Sequence, residues 1–422
     1  MLKANFKSGI LLFWCLSATA SHADEYHYNN ILIGDRASGM GGAYVAISDD
    51  PSGLYYNPAG IEHAASSNLS GSMNAFHITN TKYHNVLNGG DWERSSSVLL
   101  PNFFGVIQPL GKGTLGFSYA VTDAILEDQD QTFYDIAQQG SKFHINFNNQ
   151  DTTYNIGPSY ALSLFSKKLN IGLSVYGHYR VKEQIFNQLF EVYSAADTKT
   201  LYEWTNSYFH SEEYGVKPIL GVMISPFDKL SLGATISKTI LLNASSQTIK
   251  AKIADCSTVT EADPNKHVCQ LTPIERSQTS SDYVRDLPLN VNIGLAYFPT
   301  PALVISADTN IYEPLWGQKL PLVNASVGAE YYVSGGWALR SGFFSNLANT
   351  PVLKTTKSSQ LEKIDFFGLS LSVTRFTRST SLSFGMTQQF GAGKAQVVSG
   401  SSAMQNVSAS TTTGFLSASY SY

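Results

Sequence analysis

At 422 residues the chain is long enough for several ordinary domains or for one large β-structure. Only 14% of its residues are charged, against about 25% in soluble proteins, while Tyr and Phe number 23 each. Its 28 basic and 32 acidic residues give a formal charge of −4, which excludes the basic surface that nucleic acid requires. Mean hydropathy is −0.09, and no apolar run approaches the ~20 residues of a membrane helix. Few charges, many aromatics and no long apolar run suit a membrane β-barrel, whose strands alternate instead of being uniformly apolar. A soluble all-β protein is the alternative that composition leaves open.

The first segment, 1–23, reads as a secretory signal peptide. Lys3 and Lys7 precede an apolar stretch, residues 10–16. Two small-residue cleavage patterns follow, Ala18-Thr19-Ala20 and Ser21-His22-Ala23, and either is usable. Cys15 lies in the removed part. Loss of the two lysines takes the formal charge from −4 to −6.

Residues 34–61 form the next unit, within an expected N-terminal hatch of 24–66. Six glycines (Gly34, Gly39, Gly41, Gly42, Gly53, Gly60) and the turn-formers Asp49, Asp50, Pro51, Asn57 and Pro58 are set among single apolar residues. Such a run breaks both helix and sheet. Tyr44, Val45, Ile47, Leu54, Tyr55 and Tyr56 are nevertheless too apolar for a solvated linker, so the segment reads as a plug of turns that needs walls.

From residue 67 to 422 the pattern is period two. Leu115, Phe117, Tyr119 and Val121 alternate with small residues, and so do Leu289, Val291, Ile293, Leu295 and Tyr297. About fourteen such segments can be counted. Tight turns such as Leu110-Gly111-Lys112-Gly113 and Pro226-Phe227-Asp228-Lys229 follow the even-numbered ones. Longer links (79–97, 123–152, 181–215, 241–286, 312–322, 345–363 and 389–412) follow the odd-numbered ones. Alternating short and long links are the rule of outer-membrane barrels, with the short turns periplasmic and the long loops outside. The expected fold is therefore all-β: a transmembrane antiparallel β-barrel of about 14 strands with the hatch in its lumen and both termini periplasmic. The last segment alternates Leu416, Ala418, Tyr420 and Tyr422, which resembles the C-terminal signal read by the barrel-assembly machinery.

Within link 181–215, Ile185, Phe186, Leu189, Phe190 and Tyr193 recur at helical spacing, and Leu201, Tyr202, Trp204, Tyr208 and Phe209 follow. An exposed loop this apolar either captures an apolar ligand or packs against neighbouring loops. Cys256 and Cys269 read as one disulfide of an exported protein, the alternative being a zinc site with His267 as the only further ligand nearby.

The run Ser-Gly-Met-Gly-Gly-Ala-Tyr (38–44), followed by Asp49-Asp50-Pro51 and Tyr55-Tyr56-Asn57-Pro58-Ala59-Gly60, resembles the N-terminal hatch of the outer-membrane long-chain fatty acid transporter (FadL/TodX) family. The resemblance implies a plugged fourteen-stranded barrel that passes hydrophobic molecules by diffusion. Its expected partners are long-chain fatty acids or aromatic hydrocarbons, outer-membrane lipid and lipopolysaccharide; oligomeric state stays open. It makes Gly39, Gly41, Gly42, Asn57, Pro58 and Ala59 gating residues, against a purely structural plug. Phe186, Leu189, Phe190, Tyr193 and Trp204 become the outer capture groove. The mature N-terminus, 24–30, is expected to reach a lumenal pocket.

The family's kinked third strand implies a lateral exit. It is placed here near Gly116 and Pro158, where a proline interrupts the ladder between the third and fourth strands, or makes only a bulge. No catalytic motif, cofactor or metal site is expected: there is no G-x-S-x-G elbow, H-E-x-x-H pair or intact phosphate loop. A porin for polar solutes and a surface adhesin are the competing functions.

Overall fold

A computed structural model describes residues 27–422, apart from 65–66, 88, 135–139, 166–167, 195–198, 254–274, 315–320, 359 and 398–401. The expected leader and the Cys256–Cys269 pairing lie outside the described residues. The hatch holds a short helix α1 (Asp35–Gly39), a single turn α2 (Gly53–Tyr56) and a 3-10 turn (Pro58–His63). The wall begins with β1 (Asn68–Leu87), β2 (Gly90–Leu110), β3 (Gly113–Tyr134), β4 (Gly140–Leu164), β5 (Leu169–Ser194) and β6 (Lys199–Phe227). It continues with β7 (Leu230–Lys238), β8 (Ile240–Ile253), β9 (Glu275–Ser281), β10 (Leu289–Thr300), β11 (Leu303–Tyr312) and β12 (Leu322–Val333). The last strands are β13 (Trp337–Asn346), β14 (Lys363–Phe376), β15 (Thr380–Ala395) and β16 (Gln405–Ser421).

All pairings are antiparallel, and β1 pairs with both β2 and β16, so the sheet closes on itself. Closure leaves no backbone edge at the seam, the condition for a sheet to stand in lipid. The closed wall runs β1 to β7 and then β10 to β16, which makes fourteen strands. β8 carries on from β7 after Thr239 and β9 leads into β10, so this pair extends the β7–β10 hairpin. Asn68 opposite Ser421 puts the start of β1 beside the chain's end, at the rim that carries the short turns.

The bulky face points outward. In β12, Val323, Val327 and Tyr331 are exposed, whereas Asn324, Ser326 and Glu330 are buried inside. A soluble sandwich would reverse this sense; an apolar exterior around a small and polar interior is the barrel arrangement.

The outer links depart from expectation in form. The described residues of segment 181–215 are strand, not helix: β5 and β6, of 26 and 29 residues, stay paired from Leu169↔Ile224 to Ser194↔Lys199. The ladder sets the apolar side chains of β5 directly opposite those of β4 and β6, such as Phe186 opposite Phe147 and Leu189 opposite Trp204. Links 79–97 and 123–152 are likewise mostly hairpin. Inside these extensions lies an aromatic core, including Tyr83, Trp92, Phe133, Phe143 and Phe147 with Ile364 and Phe366, that packs the outer end of β1–β5 against β14–β16.

The lower lumen is shaped by absent side chains. A Cβ on Gly116 of β3 would run into Leu54, on Gly172 of β5 into Pro58 and Ala59, and on Gly221 of β6 into Asn57. On the other side, Gly233 of β7 and Gly294 of β10 face Val45 and Ala46, while Gly328 of β12 and Gly342 of β13 face Met40. These positions form an inner glycine belt on which the hatch backbone rests. Replacing Gly172 or Gly221 with Val should unseat the hatch at an overpacking cost of about 1–3 kcal/mol while the barrel still closes. Limited proteolysis of purified protein would read this as faster cleavage within 34–61 alongside an unchanged strand signal by circular dichroism.

Candidate functional site: the hatch and the lumenal cavity

The hatch is held by groups its own segment lacks. Gly41 and Gly42 take positive φ (66° and 81°), turning the chain where Met40 passes over the β12–β13 wall. α1 presents Arg36 to the wall. Its Nε lies 3.0 Å from both oxygens of Glu330, its Nη2 donates to Oε2 at 2.6 Å, and its Nη1 donates to Asp49. Arg340 of β13 donates from Nε to the same Glu330 at 2.7 Å and lies 3.7 Å from Asp35. Burial works against the Arg36 cation, but Asp49 and Glu330 outweigh it and hold its pKa well above the ordinary value.

Two more clamps complete the seat. Asp308 of β11 accepts the backbone N–H groups of Tyr44 and Val45 at 2.5 and 2.7 Å. Asn57 is fully buried; its Nδ2 donates to the carbonyls of Val45 (2.8 Å) and Val222 (3.1 Å), and its Oδ1 accepts from Ala59 N (3.1 Å). It caps the 3-10 turn, with Pro58 in the first position, where no N–H is needed. Asn57, Pro58 and Ala59 thus meet β5 and β6, while Gly39, Gly41 and Gly42 belong to the opposite contact; Ser370 Oγ of β14 donates to Gly39 O at 2.8 Å.

Above the hatch lies a cavity of 220 Å³. Tyr28, Tyr55, Tyr56 and Tyr312 give it aromatic walls, and Asn155, His178, Arg180, Lys217 and Arg285 give it polar ones. The N-terminal stretch runs up into it. Tyr28 stacks on Tyr312 with ring centroids 4.3 Å apart, and His27 Nε2 lies 2.7 Å from Ile364 O. The polar residues are mostly tied to each other. Arg180 pairs with Asp151 at 2.6 Å, Arg285 with Glu213 at 2.6 Å, and Lys217 Nζ donates to Tyr55 OH at 3.0 Å.

The wall near Gly116 and Pro158 is closed on the side where an exit was expected. β3 and β4 pair continuously through Gly116↔Ser159 and Phe117↔Pro158, and Gly116 serves as the seat of Leu54. Pro158 interrupts the ladder only toward β5, between Ile156↔Gly177 and Ser159↔Ser174, where its missing N–H leaves a short irregularity. The larger discontinuity is one interface away. β2 and β3 pair at Ser96↔Glu127 and next at Phe103↔Ala120, and the span between holds Pro101. Hatch residues Ile31 and Ile33 pack inside that gap with Phe103 and Val121, and Thr122 and Asp123 at its edge line the cavity.

The outer aromatic residues are brought together, but into packing. Phe186 meets Phe147 edge-on at 5.7 Å and Phe190 meets Phe143 at 6.4 Å, each pair directly opposite across β4–β5. Leu189 stands opposite Trp204 on β6, and both are half-buried. Tyr193 lies on the β5 backbone opposite Thr200.

Sequence reasoning passed over the Arg36–Glu330–Arg340 cluster and Asp308, because isolated charges on strands carry no local motif. The usable signal was a charge on a face otherwise made of small residues.

The site and the fold together define a plugged, fourteen-stranded antiparallel membrane-type barrel with a chamber above its plug. No family model and no curated protein matches the sequence. Solved structures do. A TodX monoaromatic hydrocarbon channel, in a deltaS2 mutant form, matches at 14% identity with TM-score 0.68, over 94% of this chain and 99% of that one. The Pseudomonas putida toluene transporter TodX matches at 16% and 0.61, over 92% and 97%. The Ralstonia pickettii toluene transporter TbuX matches at 13% and 0.57, over 92% and 98%. At these identities the likeness is one of fold.

Glu330→Gln should destabilise the seated hatch by about 3–5 kcal/mol, because two buried guanidinium groups lose their shared carboxylate. Asn57→Ala should cost about 1–3 kcal/mol for the carbonyls it leaves unpaired. Urea unfolding of the detergent-solubilised protein would measure both, and a midpoint unchanged in Glu330→Gln would contradict the assignment.

Proposed function

We propose that the protein is an outer-membrane channel for the passive uptake of hydrophobic compounds, and that its preferred cargo is the size of a single aromatic ring. The observation that carries this reading is the tyrosine-walled chamber between the hatch and the outer aromatic core. At 220 Å³ it exceeds the roughly 150 Å³ that suffices for benzene and falls below the ~300 Å³ where pockets for drug-sized ligands begin. A long acyl chain asks for more room than a ring. The solved neighbours of this fold, TodX and TbuX, are described as toluene transporters, which agrees with a ring-sized cargo.

The hatch is the gate in this proposal. Hatch residues Val45, Tyr55 and Tyr56 line the cavity from below, and Asn57 ties Val45 to β6 at Val222, so cargo passing inward has to disturb the Asn57 contacts or leave sideways. Diffusion through such a path requires no catalytic step and no cofactor.

The long-chain fatty acid reading keeps one specific support. Lys217 projects its ammonium over the Tyr55 ring, 4.5 Å from the centroid, and has no carboxylate partner among the described residues. A cation so placed would hold an acid head group.

Labelled toluene and labelled oleate should be offered to a transporter-deficient Gram-negative host with and without the protein. Faster toluene entry with little change for oleate is the expected outcome. Oleate entry alone, lost in Lys217→Met, would reverse the assignment of cargo, and no effect on either compound would sink the transport reading.

A further inference from the structure

The chamber is closed below by the hatch, and its outer end is packed by aromatic side chains along β1–β5 and β14–β16. On the opposite side the chamber meets a break in the wall. β7 and β10 pair up to Lys238↔Leu289, and β8 and β9 pair only from Ser246↔Ser281 outward. Between these ladders no pairing joins 239–245, which stay bonded to β6 on their other side from Ile240, to 282–288, which have no strand partner.

Both edges of this break reach the chamber. Ser237, Lys238 and Thr239 line it from one side, and Arg285, Leu287 and Pro288 from the other. The outer rim of the break exposes four large apolar side chains, Ile240, Leu242 (68% exposed), Tyr283 (76% exposed) and Val284, among the polar Asn243, Ser245, Asp282 and Asp286. Unpaired backbone facing hydrocarbon is costly, and it is tolerated at membrane depth where it borders a cavity. An interrupted ladder, a cavity behind it and exposed apolar side chains in front together describe a port.

We propose that the break between 239–245 and 282–288 is the entrance through which hydrophobic cargo passes sideways from the outer surface into the chamber. This rests on the transport reading above and adds the route. Two ion pairs hold the irregular segment across the opening. Arg285 reaches inward to Glu213 with Nε–Oε1 at 2.6 Å and Nη2–Oε2 at 2.8 Å, and Asp286 meets Lys238 at 3.0 Å. They keep 282–288 in place although it has no strand partner. The chamber also touches Thr122 and Asp123 at the β2–β3 discontinuity, so the cargo path crosses the barrel from one wall break to the other.

The test uses the full-length protein in the transporter-deficient host, with labelled toluene as probe. Leu242→Trp combined with Val284→Trp fills the rim without touching the residues that line the chamber. Toluene entry should fall about fivefold or more, while toluene affinity of the purified, heat-modifiable barrel stays within about twofold of the parent. Tyr283→Ala, which removes an exposed ring from the rim, should leave entry equal or faster. Unchanged entry in a correctly assembled double variant would overturn the port, and so would a parallel loss of affinity, which would assign the rim to the binding chamber. Failure of the parent protein itself to admit toluene would instead remove the transport reading beneath it.

Discussion

The structure depends on the close approach of hatch backbone to barrel wall. The two meet at wall positions that lack a Cβ, from Gly116 on β3 round to Gly342 on β13, and each missing side chain is occupied by a hatch atom. Close packing of this kind forfeits dispersion energy quickly if surfaces separate, so the seat defines one position for the plug. Polar anchors add direction to that fit. Glu330 draws Arg36 and Arg340 together, Asp308 receives two consecutive hatch N–H groups, and Asn57 joins the two sides of the turn to β6.

A seated hatch explains why the chamber exists. The barrel would otherwise hold a continuous channel; the plug floors it, and the N-terminal stretch carrying His27 and Tyr28 climbs one wall. The polar lining is arranged in internal pairs, Arg180 with Asp151 and Arg285 with Glu213, so charge in the chamber is largely compensated locally. Paired charges of this sort cost little to an apolar guest compared with bare ones. Tyrosines then supply the surface that a ring stacks against.

Several residues show how sequence and structure divided the work. The sequence places Gly116 and Pro158 together as a weak point of the wall, and the structure gives them separate jobs: one seats Leu54, the other interrupts the β4–β5 ladder. Phe186 and Phe190 sit four apart, a spacing shared by a helix face and by alternate positions of a strand. Their pairing with Phe147 and Phe143 settles it as strand. Link 241–286 read as one long loop, whereas 240–253 and 275–281 are strands whose polar composition hid the alternation.

The sequence by itself determined the all-β class, a strand count near fourteen and the plug-like nature of 34–61. All of these follow from local patterns: period-two alternation, turn-formers at regular intervals, and glycines crowded where neither helix nor sheet can persist. Tertiary structure decided what the plug rests on, where the chamber lies and where the wall opens. Those outcomes rest on contacts between residues roughly three hundred positions apart, such as Arg36 with Glu330, and on which strand edges fail to pair after closure. A periodic strand pattern holds no record of either, because every strand carries the same alternation whichever neighbour it meets.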